Sequence, residues 1–338
     1  MDERHFVVIG NGPGGSQAAL TLRRESPESR ITVISKERGG FYPPHRIPEL
    51  ISGVISEEDL FVFSPGSFKE RNIKLRSGQE VVDLDLRNQQ VILEHKEKIP
   101  FDGLIIAVGG KPRIPEYLAV FSDLLMTLKT LQNAKDWVAK LSSAQKVLIV
   151  GGDLTSLAFS KILLSMQKQV YFLLSEEAFW PIRCTPALFE EVSLALARKG
   201  IHVLTPSQIR SLSVLPDKSI ELRTDHDTVC ADIIGAFFGL VPDIRFTARS
   251  GLKIDRGILV DEYLFTGFQG VYAAGDCAQI YHPQIQDYWV SIGHDNAVAL
   301  GRIAAMNLLG SRVMANVSKE SIFEVQDIKV NTSWWTEF

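Results

Sequence analysis

Residues 6–15, FVVIGNGPGG, set an unbroken apolar run directly against a glycine-rich turn. Phe6, Val7, Val8 and Ile9 leave no polar face, the pattern of a parallel strand covered on both sides. Gly10, Gly12 and Gly15 follow in the spacing G-x-G-x-x-G, with Pro13 and Gly14 between them. Gly10 permits a tight turn, Gly12 lets the backbone approach a pyrophosphate, and Gly15 lets the next helix pack closely on the strand. That helix is expected over 16–24, its N-terminal amides aimed at phosphate. The spacing alone fits any glycine-rich turn; a strand before it and a helix after it point to a bound dinucleotide.

Outward from this stretch, 31–35 reads as the strand that closes the first β-α-β unit. An acidic residue at its end would hydrogen-bond an adenosine ribose. Glu37 is the candidate, the alternative being a solvated loop carboxylate, because Ser35 sits where the acid is also often found. GGFYPPHRIPELISG, 39–53, reads as a loop from its glycines and prolines, and 91–98 as part of a small antiparallel excursion. FDGLIIAVGG, 101–110, is a further apolar strand ending where backbone can approach a ligand, at Ala107, Val108 and Gly109. Leu128, Leu131, Ala134, Val138 and Leu141 recur at near-helical spacing and predict an amphipathic helix over 127–142.

The opening theme then returns. KVLIV at 146–150 is a buried strand, Gly151 and Gly152 turn it, 154–166 reads as a helix and 170–174 as the next strand, so two dinucleotide-binding folds are expected. The second fingerprint departs from the first: Asp153 takes the second glycine position and Ser156 the third. Asp153 either obstructs and repels a pyrophosphate or caps the following helix. Strands are further expected at 231–242, 257–260 and 271–274, the last running into Gly275 and Asp276, where the aspartate is either a turn residue or functional.

Composition removes other classes. With 338 residues, 45% hydrophobic and 22% charged, the chain can bury two cores. A net charge of −4 with scattered Lys and Arg lacks the electrostatic footprint of a nucleic-acid binder. The charged start, MDERHF, leaves no room for a signal peptide, and no apolar run reaches the roughly 18 residues of a membrane helix. A cytoplasmic protein is expected. Cys184, Cys230 and Cys277 lie too far apart for C-x-x-C, and the seven histidines offer no ligand spacing, so no structural metal is expected.

The order GNGPGG, FDGLIIAVGGKPRIP, KVLIVGGD, ADIIGAFFGLVPD and TGFQGVYAAGDCA, over about residues 5–310, resembles the FAD-dependent pyridine nucleotide-disulfide oxidoreductase superfamily. The resemblance implies an α/β chain with two Rossmann-like dinucleotide-binding domains. FAD would occupy 1–113 and 248–310, NAD(P)H would occupy 114–247, and 311–338 would be a short tail where a truncated interface domain begins. It places Asp276 on the ribityl chain of FAD and the helix 296–309 with its N-terminus toward the flavin. Gly10, Gly12, Pro13, Gly14, Gly15, Glu37, Val81, Ala107, Val108 and Gly109 complete the flavin nucleotide contacts. Gly151, Gly152, Asp153 and Glu176 are the candidates for the nicotinamide nucleotide.

Within the superfamily, the chain is similar to the branch without a redox disulfide: NADH:rubredoxin and ferredoxin reductases and the flavin portion of nitrite reductases. The stretch PPHRIPELISG lacks the cysteines other branches carry there. Electrons would leave the flavin directly for a small redox protein such as rubredoxin or ferredoxin. Of the branch's Tyr-x-Arg-Pro, Tyr42 matches, Pro44 holds the arginine position, and Arg46 is the substitute candidate for a flavin or phosphate contact. Ala158 stands where the branch has a glutamate near the nicotinamide, and Leu300 where it has a glutamine, while Gly301, Ala304, Ala305, Asn307 and Gly310 fit. The competing reading is an FAD-binding electron-transfer subunit of a complex that no longer uses NAD(P)H; Asp153, Ser156 and Ala158 favour it. Trp334 and Trp335 in the tail would pack on the chain itself, form a homodimer contact or meet a partner.

Overall fold

A computed structural model describes residues 4–175, 186–284, 286–291 and 293–315, and the strands Ile322–Val325 and Ile328–Asn331, which pair antiparallel. The chain divides into two compact units. Met1–Pro44, Glu58–Lys111 and Val241–Ser318 form one; His45–Glu57, Pro112–Leu240 and Lys319–Phe338 form the other.

In the first unit, five parallel strands lie in the order Val271–Ala273, Gly103–Ile106, β1 (His5–Ile9), β2 (Arg30–Ser35) and Ile73–Ser77. Every residue of β1 is buried, as its continuous apolar run requires. A parallel pair needs a crossover, and α1 (Pro13–Glu25) supplies it between β1 and β2. Val81–Asp85, Gln90–Leu93 and Lys98–Pro100 form a three-stranded antiparallel excursion before the chain re-enters the sheet.

The second unit repeats the plan. Its five parallel strands run His202–Val203, Gln169–Leu174, Lys146–Gly151, Ile233–Phe237 and Leu125–Met126. The helix Leu154–Ser165 makes the crossover. Ile209–Val214, Ile220–Thr224 and Thr228–Ala231 form the matching antiparallel excursion.

The two copies share a staple at the N-terminal edge of their sheets. The Asp102 carboxylate accepts from the His5 amide at 2.6 Å, and its own amide donates to the His5 carbonyl. Asp232 does the same in the second unit, accepting from the Gln145 and Lys146 amides at 2.7 and 2.8 Å and donating to the Lys146 carbonyl. Each carboxylate fixes where its strand begins and so sets the register with the central strand.

Four expected elements differ in the structure. The strands expected over 101–110 and 231–242 end early, as Gly103–Ile106 and Ile233–Phe237, and the chain beyond them leaves the sheet before the separate short strands Gly110–Pro112 and Leu240–Pro242. The helix expected over 127–142 is Leu131–Leu141, because Thr130 and Asn133 close a capping box at its start. Its buried face is Leu131, Ala134, Trp137 and Leu141, whereas Val138 is 44% exposed. Trp137 packs edge-on against Phe159 with centroids 4.8 Å apart, which turns the helix one position from the aliphatic stripe. The expected loop 39–53 contains the short helix Ile47–Ile51, whose two isoleucines are both buried one turn apart and whose Pro48 sits in the first turn, where it is tolerated.

In the first unit the helix His294–Leu308 crosses α1 at glycine. A Cβ on Gly301 would lie 2.0 Å from the Gly14 carbonyl oxygen, and one on Gly14 would lie 3.1 Å from the Ala297 carbonyl oxygen. Gly301→Ala must therefore push the helices apart, and we expect a loss of about 1–3 kcal/mol, read as a lower denaturant midpoint. An unchanged midpoint would show that this crossing is not close-packed.

Candidate functional site

The C-terminal edge of the first unit's sheet gathers most of the expected site residues. Ile9, Ile106 and Ala273 are register partners at that edge, so the segments that follow them, Gly10–Gly15, Ala107–Gly109 and Gly275–Asp276, start side by side. Crevices outside the carboxyl ends of parallel strands are where open α/β sheets bind ligands.

Backbone contacts shape the turn. Gly10 has φ of +106°, and a Cβ there would lie 2.2 Å from the Ala107 carbonyl oxygen. A Cβ on Gly15 would lie 1.9 Å from the Gly10 carbonyl oxygen, which is the close helix approach expected of the third glycine. The Ser16 hydroxyl donates to the Asn11 side-chain oxygen at 2.9 Å and ties the loop to the helix. Asn11 was not anticipated from the sequence.

Gly12 differs from its neighbours: a Cβ on it would meet nothing within 4 Å. It is the N-cap of α1 and no side chain caps the helix. The first turn of a helix presents amides with no intrahelical partner, and the Gly12 position beside them is open. That is a cradle for a phosphate, and the turn fits the pyrophosphate of FAD.

The surrounding candidates fall as follows. Glu37, just past the buried end of β2, is exposed and accepts from the Tyr42 hydroxyl at 2.5 Å. Val81 is buried and lies close by along the chain, because Gly78 and Gln79 donate to the carbonyls of Glu37 and Ser35. Gly275–Cys277 is a single 3-10 turn at the end of Val271–Ala273, with Asp276 half-buried at its centre. A Cβ on Gly275 would touch the Ala297 Cβ at 3.6 Å, so the first turn of His294–Leu308 reaches the same edge. At the other end of that helix, the Asn307 side chain donates to the carbonyls of Tyr263 and Val313 and accepts from the Val313 amide. Arg46 belongs to the second unit, where it pairs with Glu49 at 3.1 Å. Glu176, Cys184, Trp334 and Trp335 lie outside the described residues.

The second fingerprint repeats the turn and then departs. Gly151 has φ of +106°, and a Cβ there would lie 2.0 Å from the Phe237 carbonyl oxygen, the counterpart of Gly10 against Ala107. A Cβ on Gly152 would strike the Leu174 side chain at 2.4 Å. Asp153 is the N-cap of Leu154–Ser165, accepting from the Ser156 amide at 2.9 Å and from the Gly239 amide at 3.0 Å. Ser156, in the third glycine's place, is fully buried and donates its hydroxyl to the Asp153 carbonyl. Gly239 was not singled out from the sequence, although aligning FFGL with AVGG across the two copies would have found it.

Among the described residues no group of His, Cys, Asp and Glu could hold a metal ion, and no helix is long and apolar enough to cross a membrane.

The class that these features define is a double dinucleotide-binding oxidoreductase. The family model described as pyridine nucleotide-disulphide oxidoreductase matches residues 4–295, and the chain belongs to that family. It is 26% identical over 317 residues to putidaredoxin reductase of Pseudomonas putida, covering 90% of this chain and 74% of that one. It is 29% identical over 279 residues to nitric oxide reductase FlRd-NAD(+) reductase of Citrobacter koseri, covering 82% and 73%. In structure it is similar to the reductase in the covalent putidaredoxin reductase–putidaredoxin complex, with a TM-score of 0.85 at 21% identity over 96% of this chain and 79% of that one.

The family name evokes a redox disulfide; among the described residues Cys230, half-buried, and Cys277, buried, are free thiols. Burial pushes the Cys277 thiol up to about 11, partly offset by the nearby backbone of Gly109 and Val108. Its sulfur sits on the carbonyls of Ile106 and Ala274, so it acts as packing beneath the Ala107–Gly109 loop. We expect Cys277 to stay unmodified by iodoacetamide at neutral pH in the folded protein and to react only after unfolding; fast alkylation in the native state would contradict this burial.

Proposed function

We propose that this protein is an FAD-dependent oxidoreductase that takes reducing equivalents from NAD(P)H and delivers electrons to a small redox protein of the ferredoxin or rubredoxin kind. The observation that carries the reading is the uncapped, glycine-lined turn at Gly12, open where a pyrophosphate would lie, at the same sheet edge as Gly275-Asp276. The relatives' names point the same way, one to putidaredoxin and one to NAD(+).

When bound, FAD supplies the redox chemistry, accepting hydride and releasing electrons singly. The chain's part is to bind and orient. Gly10 to Gly15 and the first amides of α1 hold the pyrophosphate, with Pro13 sacrificing no donor the helix would need. Glu37 takes the adenosine ribose, its carboxylate held in place by the Tyr42 hydroxyl. Asp276 accepts from ribityl hydroxyls, and Val81 with Ala107, Val108 and Gly109 lines the approach. Gly151 and Gly152 turn the second fingerprint for the nicotinamide nucleotide. No side chain is assigned as acid or base, since hydride transfer needs none.

A specific observation supports a second reading: the carboxylate of Asp153 stands in the second fingerprint, as expected of an FAD-binding electron-transfer subunit without nicotinamide use. Anaerobic addition of NADH and of NADPH to the FAD-loaded protein separates the two. Bleaching of the flavin absorbance by either supports the reductase; bleaching by dithionite alone leaves the subunit.

The flavin site itself has a cleaner test. Gly12 has φ of −78° and ψ of −171°, which any residue adopts, and open space around it. Gly12→Val should therefore fold normally yet lose FAD, with affinity falling at least about tenfold. Asp276→Ala removes charge-assisted hydrogen bonds worth about 1.5–3 kcal/mol, or roughly one to two orders of magnitude in FAD affinity. Equal FAD content in Gly12→Val would remove the turn from the site.

A further inference from the structure

The two fingerprints share strand, turn and helix, but their amide donors are in opposite states. In the first, no side chain caps α1 and the Gly12 position is open. In the second, the donors are spent. The Gly152 and Asp153 amides both point to the Phe237 carbonyl, at 2.8 and 3.2 Å. The Ser156 and Gly239 amides both point to the Asp153 carboxylate, one to each oxygen. These are a helix first-turn amide and an amide of the neighbouring strand's loop, converging on one anion.

We infer that the Asp153 carboxylate is a built-in anion that occupies the diphosphate position of the second fingerprint, so that a nicotinamide dinucleotide binds there only when Asp153 is protonated. The inference rests on the nicotinamide use proposed above and adds a gate to it.

The environment supports a titratable gate. Burial pushes the Asp153 carboxyl up to about 6, opposed by the backbone amides of Ser156, Gly239 and Thr155. The charged side chains on the elements that pack there are Lys161 on the helix Leu154–Ser165, Glu49 and the N-cap Arg46 of the helix Ile47–Ile51 packed against it, and Arg113, whose amide pairs with the Gly239 carbonyl; none of them contributes to the shift. The sign follows directly. Above this range the carboxylate is ionised, holds both amides and repels a diphosphate; below it the neutral acid binds the amides weakly and carries no charge against the incoming phosphates. An apparent dissociation constant scales inversely with the competent fraction, so a tenth-populated protonated form weakens binding about tenfold.

The test is calorimetric titration of the FAD-loaded protein with NAD+, which is chosen over the phosphorylated nucleotide because a terminal phosphate itself titrates near pH 6. For the unmodified protein, affinity should rise about tenfold or more between about pH 7.5 and about pH 5.5. Asp153→Asn keeps a capping oxygen and removes the charge. It should bind at the higher pH as tightly as the unmodified protein does at the lower one, with no further pH dependence. Asp153→Gly, which removes the carboxylate altogether, should behave alike, and FAD content and thermal melting report that both variants fold. Tight, pH-independent NAD+ binding by the unmodified protein would overturn the gate and leave nicotinamide use standing. Failure of both folded, FAD-loaded variants to bind NAD+ at either pH would overturn the gate and the nicotinamide reading together.

Discussion

The structure depends on backbone lying directly against backbone at the ends of two central strands. At Gly10 and again at Gly151 the chain turns so tightly that a single added carbon would sit about 2 Å from the carbonyl oxygen of the neighbouring strand, Ala107 or Phe237. Only glycine tolerates both the positive φ and the contact. From that contact follow the sharp exit from the strand, the aim of the helix, and the alignment of three strand ends into one edge where a ligand can lie.

The two edges of each sheet are built for different work. At the N-terminal edges the copies agree: Asp102 and Asp232, each just before its strand, fasten Gly103–Ile106 to β1 and Ile233–Phe237 to Lys146–Gly151 by the same pair of hydrogen bonds. At the C-terminal edges they diverge. The first keeps an uncapped helix over an open glycine, and the second fills the corresponding place with its own carboxylate and a buried serine. A helix N-terminus is a ready anion site, so a side-chain anion there steadies the helix.

Cys277 is best understood through the same edge. Cys277 follows Asp276 directly, but its thiol turns inward onto the Ile106 and Ala274 carbonyls while the aspartate remains half-buried at the surface. One 3-10 turn thus sends two consecutive residues to different surroundings, the thiol into the core and the carboxylate to a half-buried position.

The sequence by itself determined the two β-α-β units, because continuous apolar strands and glycine spacing are local signals that need no partner to be read. It also located the Gly10–Gly15 turn and Gly275-Asp276. It left the amphipathic helix one residue out of face, since Trp137 is buried against Phe159 and Phe237, both distant in sequence. It could not choose between obstruction and capping for Asp153. Both require knowing where the Ser156 and Gly239 amides lie, and Gly239 is far along the chain, brought in only by the pairing of Lys146–Gly151 with Ile233–Phe237. Tertiary structure decided that the carboxylate caps the helix, with the Ser156 and Gly239 amides both donating to it.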